Sequence, residues 1–138
     1  MRKLFFISFF TLTLIASVGC SNKVKLSGKV TFSDDGSPLT TGTVHFENDQ
    51  CLARGKLQPD GSYVLGSESN TDGLPAGKYF VYVAGAVQAV GKDKSGLTAN
   101  IPLITPNFTS RSKSTLSVDV SPSLKTYDFK VDRFGTQN

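Results

Sequence analysis

Residues 78–84 read Lys-Tyr-Phe-Val-Tyr-Val-Ala and give the clearest indication of the fold. Aromatic and β-branched side chains occupy both faces of this stretch, which is typical of a central β-strand. A Leu-Pro-Ala-Gly turn at residues 74–77 comes directly before it. We therefore predict that the protein is built around a β-sheet in which this strand is internal.

Shorter stretches on both sides of this strand alternate between apolar and polar residues, which is the pattern of strands with one buried face. They cover residues 24–32, 43–47, 52–57, 62–65, 116–120 and 127–131. The residues predicted to face the core include Val24, Leu26, Val30, Phe32, Val44, Phe46, Leu116, Val118, Val120, Tyr127, Phe129 and Val131. No long stretch shows the apolar period of 3.6 residues that an amphipathic helix requires.

Turn-forming residues separate the predicted strands. Clusters at residues 33–38 and 58–61 combine Asp, Pro and Gly, and we expect Gly36, Gly61 and Gly77 to adopt positive φ. Residues 85–100 are the least patterned part of the chain and are expected to form a long loop. Together these features predict an all-β fold, an antiparallel sandwich of seven to eight strands with Greek-key connections.

The first twenty residues differ in character from the rest of the chain. Arg2 and Lys3 give a positive start, and residues 4–19 contain no charged side chain. A short basic start, an apolar run and small residues at its end are typical of a secretory signal peptide. The run is shorter than the roughly 20 apolar residues of a membrane-spanning helix, although an uncleaved anchor remains an alternative.

The leader ends Ser17-Val18-Gly19-Cys20, which resembles the lipobox of bacterial lipoproteins. The resemblance implies cleavage between Gly19 and Cys20 and attachment of acyl chains such as palmitate to Cys20, and two or more such chains anchor a protein stably. The alternative is a plain secretory signal with an incidental cysteine. We predict a signal peptide over residues 1–19, a lipidated cysteine and short tether over 20–23, a sandwich domain over 24–133 and a C-terminal tail over 134–138.

Three segments carry a resemblance to a known domain family. Residues 26–46 contain Gly-Lys-Val, Asp-Gly-Ser-Pro-Leu and Gly-Thr-Val-His-Phe, residues 53–63 end in Asp-Gly-Ser-Tyr, and residues 73–79 read Gly-Leu-Pro-Ala-Gly-Lys-Tyr. In this order they resemble the carboxypeptidase regulatory-like domains, which are related in fold to transthyretin. Residues 101–131 resemble small lipoproteins abundant in planctomycete-type bacteria. The resemblance implies a prealbumin-like sandwich and a non-enzymatic accessory role.

The sequence offers little chemistry for catalysis or metal binding. His45 is the only histidine, and the alternating register points it away from the core, toward solvent or a sheet edge. Cys51 is interpreted as a small core residue. The four tyrosines are interpreted as core residues and not as a sugar-stacking surface: Tyr63, Tyr79, Tyr82 and Tyr127. No catalytic residue, metal site or cofactor is predicted, and no ligand-binding residue is assigned.

Charge and composition narrow the range of partners. The formal charge of +4 falls to +2 once Arg2 and Lys3 leave with the leader, and Lys and Arg form no stripe. A nucleic-acid partner is therefore not expected. We expect an exported, non-enzymatic lipoprotein of the cell envelope, facing the periplasm or at the outer membrane, with a structural or protein-interaction role. The alternative is a cell-surface module that binds carbohydrate or peptide.

Overall fold

The structure is a computed structural model, and it describes residues 22–135. Its strands are β1 (Ser27–Phe32), β2 (Thr43–Glu47), β3 (Leu52–Lys56), β4 (Ser62–Val64), β5 (Gly77–Ala84), β6 (Val87–Lys92), β7 (Thr98–Pro102), β8 (Leu116–Val120) and β9 (Phe129–Val131). A single 3-10 turn, Pro106–Phe108, lies between β7 and β8. Within residues 22–135, no helix has the length and apolar character needed to cross a bilayer. The predicted all-β class is confirmed.

Two sheets form the body of the sandwich. The larger has the order β3-β2-β5-β8 and the smaller has the order β4-β1-β9. Strand β5, which contains residues 78–84, lies between β2 and β8 and is therefore internal, as predicted. The pairs are antiparallel except for β1 and β9, which run parallel with Val30 opposite Phe129. This pair departs from the predicted antiparallel sandwich, because alternation along a strand does not reveal its pairing partner or direction.

The core lies between the two sheets. The aromatic ring of Phe46 lies near its centre, 6.3 Å from the ring of Tyr63, 6.4 Å from Tyr79 and 5.8 Å from Tyr127. Most residues predicted to face inward are buried: Val24, Leu26, Val30, Phe32, Val44, Phe46, Val120, Phe129 and Val131. The partly buried residues Leu116, Val118 and Tyr127 pack against them. Each such side chain stabilises the fold by about 1.5–3 kcal/mol when fully buried.

Glycines close the turns as predicted. Gly36 has φ of 73°, Gly61 has 79° and Gly77 has 150°. These values lie in the region that side chains disfavour. At Gly61 a Cβ atom would also lie 2.7 Å from the carbonyl oxygen of Val30, so the turn before β4 requires glycine on both grounds.

The expectation of a long loop at residues 85–100 is wrong. This stretch forms most of a hairpin in which β6 pairs antiparallel with β7, and Val87 lies opposite Pro102. Every residue of both strands is exposed, so the hairpin extends beyond the sandwich. Its register shifts between Ala89 and Lys92, which interrupts the alternation of side chains. That interruption explains why the stretch lacks a strand pattern.

The sandwich has two distinct ends. At one end Val24 pairs with Leu74, just before β5 begins. The eight residues of β5 then run roughly 26 Å along the sandwich. The hairpin of β6 and β7 follows β5 directly and therefore lies at the opposite end. The first residues of the fold and the hairpin are thus separated by the length of the molecule.

Candidate functional site

Gly19 and Cys20, the predicted cleavage and lipid-attachment residues, lie outside the described residues, and the predicted signal peptide stays a prediction. The chain is described from residue 22, close to the predicted tether. The Lys23 ammonium contacts Asp72 at 2.5 Å and Glu68 at 2.8 Å. The hydrogen bond from Lys23 lowers the pKa of Asp72 to about 2. The start of the domain is therefore held against the segment that follows β4.

His45 lies on the outer face of the larger sheet, but it is half-buried and not openly exposed as expected. Its ring centroid is 4.7 Å from that of Tyr82, with the two planes at 62°. The Nδ1 atom is buried and has no hydrogen-bond partner in the described part of the chain. Burial lowers the pKa of the imidazole, and the charge of Arg54 adds to this effect. The ring is therefore neutral near pH 7.

The polar groups beside His45 pair with one another. The Tyr82 hydroxyl donates to Glu47 Oε2 at 2.6 Å, and burial together with this bond raises the pKa of Tyr82 to about 12. Arg111 contacts Glu47 at 3.5 Å, pairs with Asp49 and lies 5.4 Å from the ring centroid of Phe80. Among residues 22–135 no three His, Cys, Asp or Glu side chains are grouped to hold a metal ion. Tyr82, Glu47, Arg111 and Asp49 therefore contact one another, and we call these four residues the outer-face cluster.

Tyr63, Tyr79 and Tyr127 pack in or against the core, as interpreted from the sequence, whereas Tyr82 lies on the outer face of the larger sheet against His45. Tyr63 and Tyr79 are each 1% exposed, and their hydroxyls donate to the carbonyl oxygens of Tyr127 at 2.5 Å and Pro75 at 2.9 Å. Burial raises the pKa of both phenols. No ring among these offers a flat exposed face on which a sugar could stack. Cys51 is a free, partly buried thiol that packs against the same core.

A groove of about 550 Å³ lies along the edge where the two sheets meet. Its walls come from β3 and β4, the edge strands of the larger and smaller sheets. Just beyond the end of β4, Gly66 exchanges two backbone hydrogen bonds of 2.9 Å with Arg54 of β3. Glycine permits this approach, because a Cβ atom at Gly55 would lie 2.6 Å from the carbonyl oxygen of Val64. We call this site the edge groove.

The chemistry of the edge groove is cationic and polar. Eight of its lining side chains carry a positive charge, an amide or a hydroxyl group: Thr43, Arg54, Lys56, Gln58, Ser62, Tyr63, Asn70 and Thr71. No acidic side chain lines the groove in the described part of the chain. Within residues 22–135 neither Arg54 nor Lys56 forms an ion pair. The groove therefore offers two uncompensated cations beside several hydrogen-bonding groups.

Sequence reasoning did not find the edge groove. Arg54 and Lys56 stand two positions apart on a predicted strand, so their shared face was readable from the alternation. Asn70 and Thr71 come from the irregular segment between β4 and β5. The bridge between Arg54 and Gly66 brings that segment to β3. No local pattern in the sequence encodes this contact.

Comparison with known proteins yields structural similarity only. No protein-family model matches the chain, and no curated protein matches it. It is similar to two crystal structures of BcpA, the major pilin subunit of Bacillus cereus. The sequence identities are 11% and 12%, and the TM-scores are 0.48 and 0.46. Each match covers 81% of this chain and 30% of the pilin. It is also similar to a 9R-lipoxygenase from Cyanothece at 15% identity and a TM-score of 0.37, over 79% of this chain and 16% of that one. The chain spans less than a third of the length of these proteins.

Proposed function

We propose that the chain is a non-catalytic lipoprotein of the cell envelope, in which acyl chains on Cys20 hold a β-sandwich at the membrane. Its role is structural or one of protein interaction, at the outer membrane or facing the periplasm. The basic start, apolar run and lipobox-like ending of residues 1–20 support export and lipidation. The three turn-containing segments support assignment to the carboxypeptidase regulatory-like, transthyretin-like domains of planctomycete-type lipoproteins.

One observation carries the proposal: the folded domain begins almost immediately after Cys20. The backbone of Val24 exchanges hydrogen bonds of 2.7 and 3.1 Å with Leu74. An extended chain spans at most about 3.6 Å per residue, so Val24 lies within about 14 Å of the cysteine. A lipidated Cys20 therefore holds the Val24 end of the sandwich against the bilayer surface. The β6–β7 hairpin then points away from the membrane.

The non-catalytic part of the proposal rests on how the reactive side chains are engaged. His45 is packed against Tyr82, and the Tyr82 hydroxyl is committed to Glu47. A nucleophile and a general base need to lie within hydrogen-bond reach of each other and of an open substrate site. The His45 Nδ1 atom has no hydrogen-bond partner among residues 22–135, but it is buried and therefore not open to a substrate, and the Tyr82 and Glu47 groups beside it bond to each other. An interaction role needs only exposed surface, which the hairpin and the edge groove supply.

The two cysteines provide a matched test of the anchor. We expect Cys20→Ser to move the protein from the membrane fraction to the soluble exported fraction, because no acyl chain can be attached. Cys51→Ser should remain with the membrane, because the Cys51 thiol packs against the core. Retention of both variants in the membrane would contradict the proposal and favour an uncleaved apolar anchor. Recovery of the unaltered protein in the soluble fraction would contradict it as well.

A second candidate function, binding of carbohydrate or peptide, is favoured by one observation. The edge groove has uncompensated cations and no acidic lining, which suits a ligand bearing carboxylates. The buried positions of Tyr63 and Tyr79 weigh against a sugar-stacking surface. Peptide binding is therefore the stronger form of this candidate.

A further inference from the structure

We propose that the edge groove binds an extended peptide segment that carries carboxylates at alternate positions. This inference rests on the proposed interaction role and names the chemistry of the partner. It needs no covalent step, metal or cofactor. The groove is large enough, at about 550 Å³, to receive several side chains of such a segment.

The spacing of the two cations fits alternate carboxylates. Arg54 and Lys56 stand two positions apart on β3, and both are exposed. Residues two apart on a strand project from the same face at a separation of roughly 7 Å. Acidic side chains two apart on an extended peptide have this same direction and spacing. A peptide laid along β3 can therefore place one carboxylate at each cation.

Both cations are available for this role. In the described part of the chain neither takes part in an ion pair, and no carboxylate lines the groove. Glu68 lines an adjoining cavity of about 210 Å³ that shares Arg54 with the groove. The Glu68 carboxylate lies 2.8 Å from the Lys23 ammonium. A guanidinium without an internal partner is well suited to bidentate recognition of a carboxylate.

The remaining lining favours a peptide over an anionic sugar. Asn70 and Thr71 offer amide and hydroxyl groups to the backbone of an extended chain, whereas the Ser62 hydroxyl donates to Asp60 Oδ1 at 2.6 Å. Val64 is 47% exposed and offers an apolar contact to an intervening side chain. Within residues 22–135, the aromatic ring in the lining is that of Tyr63, which is 1% exposed and presents no face for a sugar to stack on.

The adjoining cavity offers a continuation of the site. Ser67 lines it, and the Ser67 hydroxyl oxygen is buried with no hydrogen-bond partner among residues 22–135. An unpaired hydroxyl at this place is able to accept a backbone N–H of a longer peptide or donate to its carbonyl oxygen. Because Arg54 lines both cavities, a segment that reaches Arg54 also reaches the entrance to the second one.

The test uses two peptides of equal composition and charge, Thr-Glu-Thr-Glu-Thr and Thr-Thr-Glu-Glu-Thr, with blocked ends. The full chain is kept in non-ionic detergent, and binding is followed by amide chemical shifts. We expect the alternating peptide to bind more tightly and to shift the amides of Arg54, Lys56 and Thr71. The double variant Arg54→Gln with Lys56→Gln should weaken this binding by about tenfold or more, since two charge-assisted contacts are lost.

The matched control is Lys25→Gln with Lys130→Gln, which removes two exposed charges outside the groove. This variant should bind the alternating peptide within about twofold of the unaltered protein, because screened surface charges at a distance contribute little. Equal weakening by both double variants, or equal affinity for both peptides, would overturn the proposal. So would binding of an oligogalacturonate in the groove without binding of the peptide. None of these results depends on lipidation of Cys20, so the anchor and the groove are tested separately.

Discussion

Tyr63 and Gly28 act together at the centre of the smaller sheet. Gly28 on β1 lies directly opposite Tyr63 on β4, and the Tyr63 hydroxyl crosses β1 to donate to the carbonyl oxygen of Tyr127. A Cβ atom at Gly28 would overlap that carbonyl oxygen and lie 2.7 Å from the Tyr63 hydroxyl. The missing side chain of Gly28 is what allows the tyrosine to lie across the strand.

We expect Tyr63→Phe to lower the free energy of unfolding by about 1–2 kcal/mol, because the Tyr127 carbonyl loses its buried donor. Gly28→Ala should cost about 1–3 kcal/mol through overpacking against the same atoms. Urea denaturation measures both values. Tyr82→Phe is the matched control and should cost less, because its hydroxyl reaches the partly exposed carboxylate of Glu47. An unchanged midpoint for Tyr63→Phe would exclude the proposed hydrogen bond.

The chain has one histidine, so the NMR signals of the His45 imidazole can be followed with pH without overlap from another histidine. Burial lowers its pKa below the ordinary 6.5 in the folded state. The unfolded chain then binds a proton more readily than the folded one, so acidification below pH 6.5 destabilises the protein. We expect the NMR titration midpoint of the imidazole to lie below 6.5. We also expect the free energy of unfolding of His45→Gln to fall less between pH 7 and 5 than that of the unaltered protein. A titration midpoint of the His45 imidazole above 6.5 would contradict the observed burial.

The sequence predicted the face on which His45 lies, but not how far its ring is buried. Alternation correctly placed it opposite Val44 and Phe46, which are both fully buried. What covers the ring depends on register: Tyr82 on β5 and Arg54 on β3 are its direct cross-strand neighbours. Those pairings join residues far apart in the chain, and no local pattern specifies them.

At the scale of elements, the strands of the sandwich were predictable and the hairpin was not. Strands such as β2 have one buried face, and their sequences therefore alternate between apolar and polar residues. Strands β6 and β7 bury neither face, and a register shift interrupts their alternation. A strand can therefore be predicted from the sequence only when one of its faces is buried.

The hairpin is expected to be the least protected paired element of the described chain. A two-stranded hairpin without a covering layer is marginally stable in water, whereas β5 lies between two other strands of its sheet. We expect amides of β6 and β7 to exchange with solvent much faster than those of β5, as measured by hydrogen exchange and mass spectrometry. Equal protection of the two elements would show that another surface covers the hairpin in solution.

At the scale of the whole molecule, the Val24 end, the hairpin and the edge groove lie at different places on the sandwich. The Val24 end lies against Leu74, and the hairpin lies at the other end of the eight-residue strand β5. The edge groove runs along the side, where β3 and β4 meet. A lipid on Cys20 would leave the hairpin and the part of the groove at Lys56 accessible to partners in the envelope, whereas Asn70 and Thr71 lie nearer the Lys23 end.

Mass spectrometry of the intact protein extracted from membranes tests the central claim most directly. We expect a chain that begins at Cys20, has lost residues 1–19, and carries the added mass of acyl chains on its first residue. A chain that retains Met1, or one that begins at any other residue without an acyl adduct, would contradict the account.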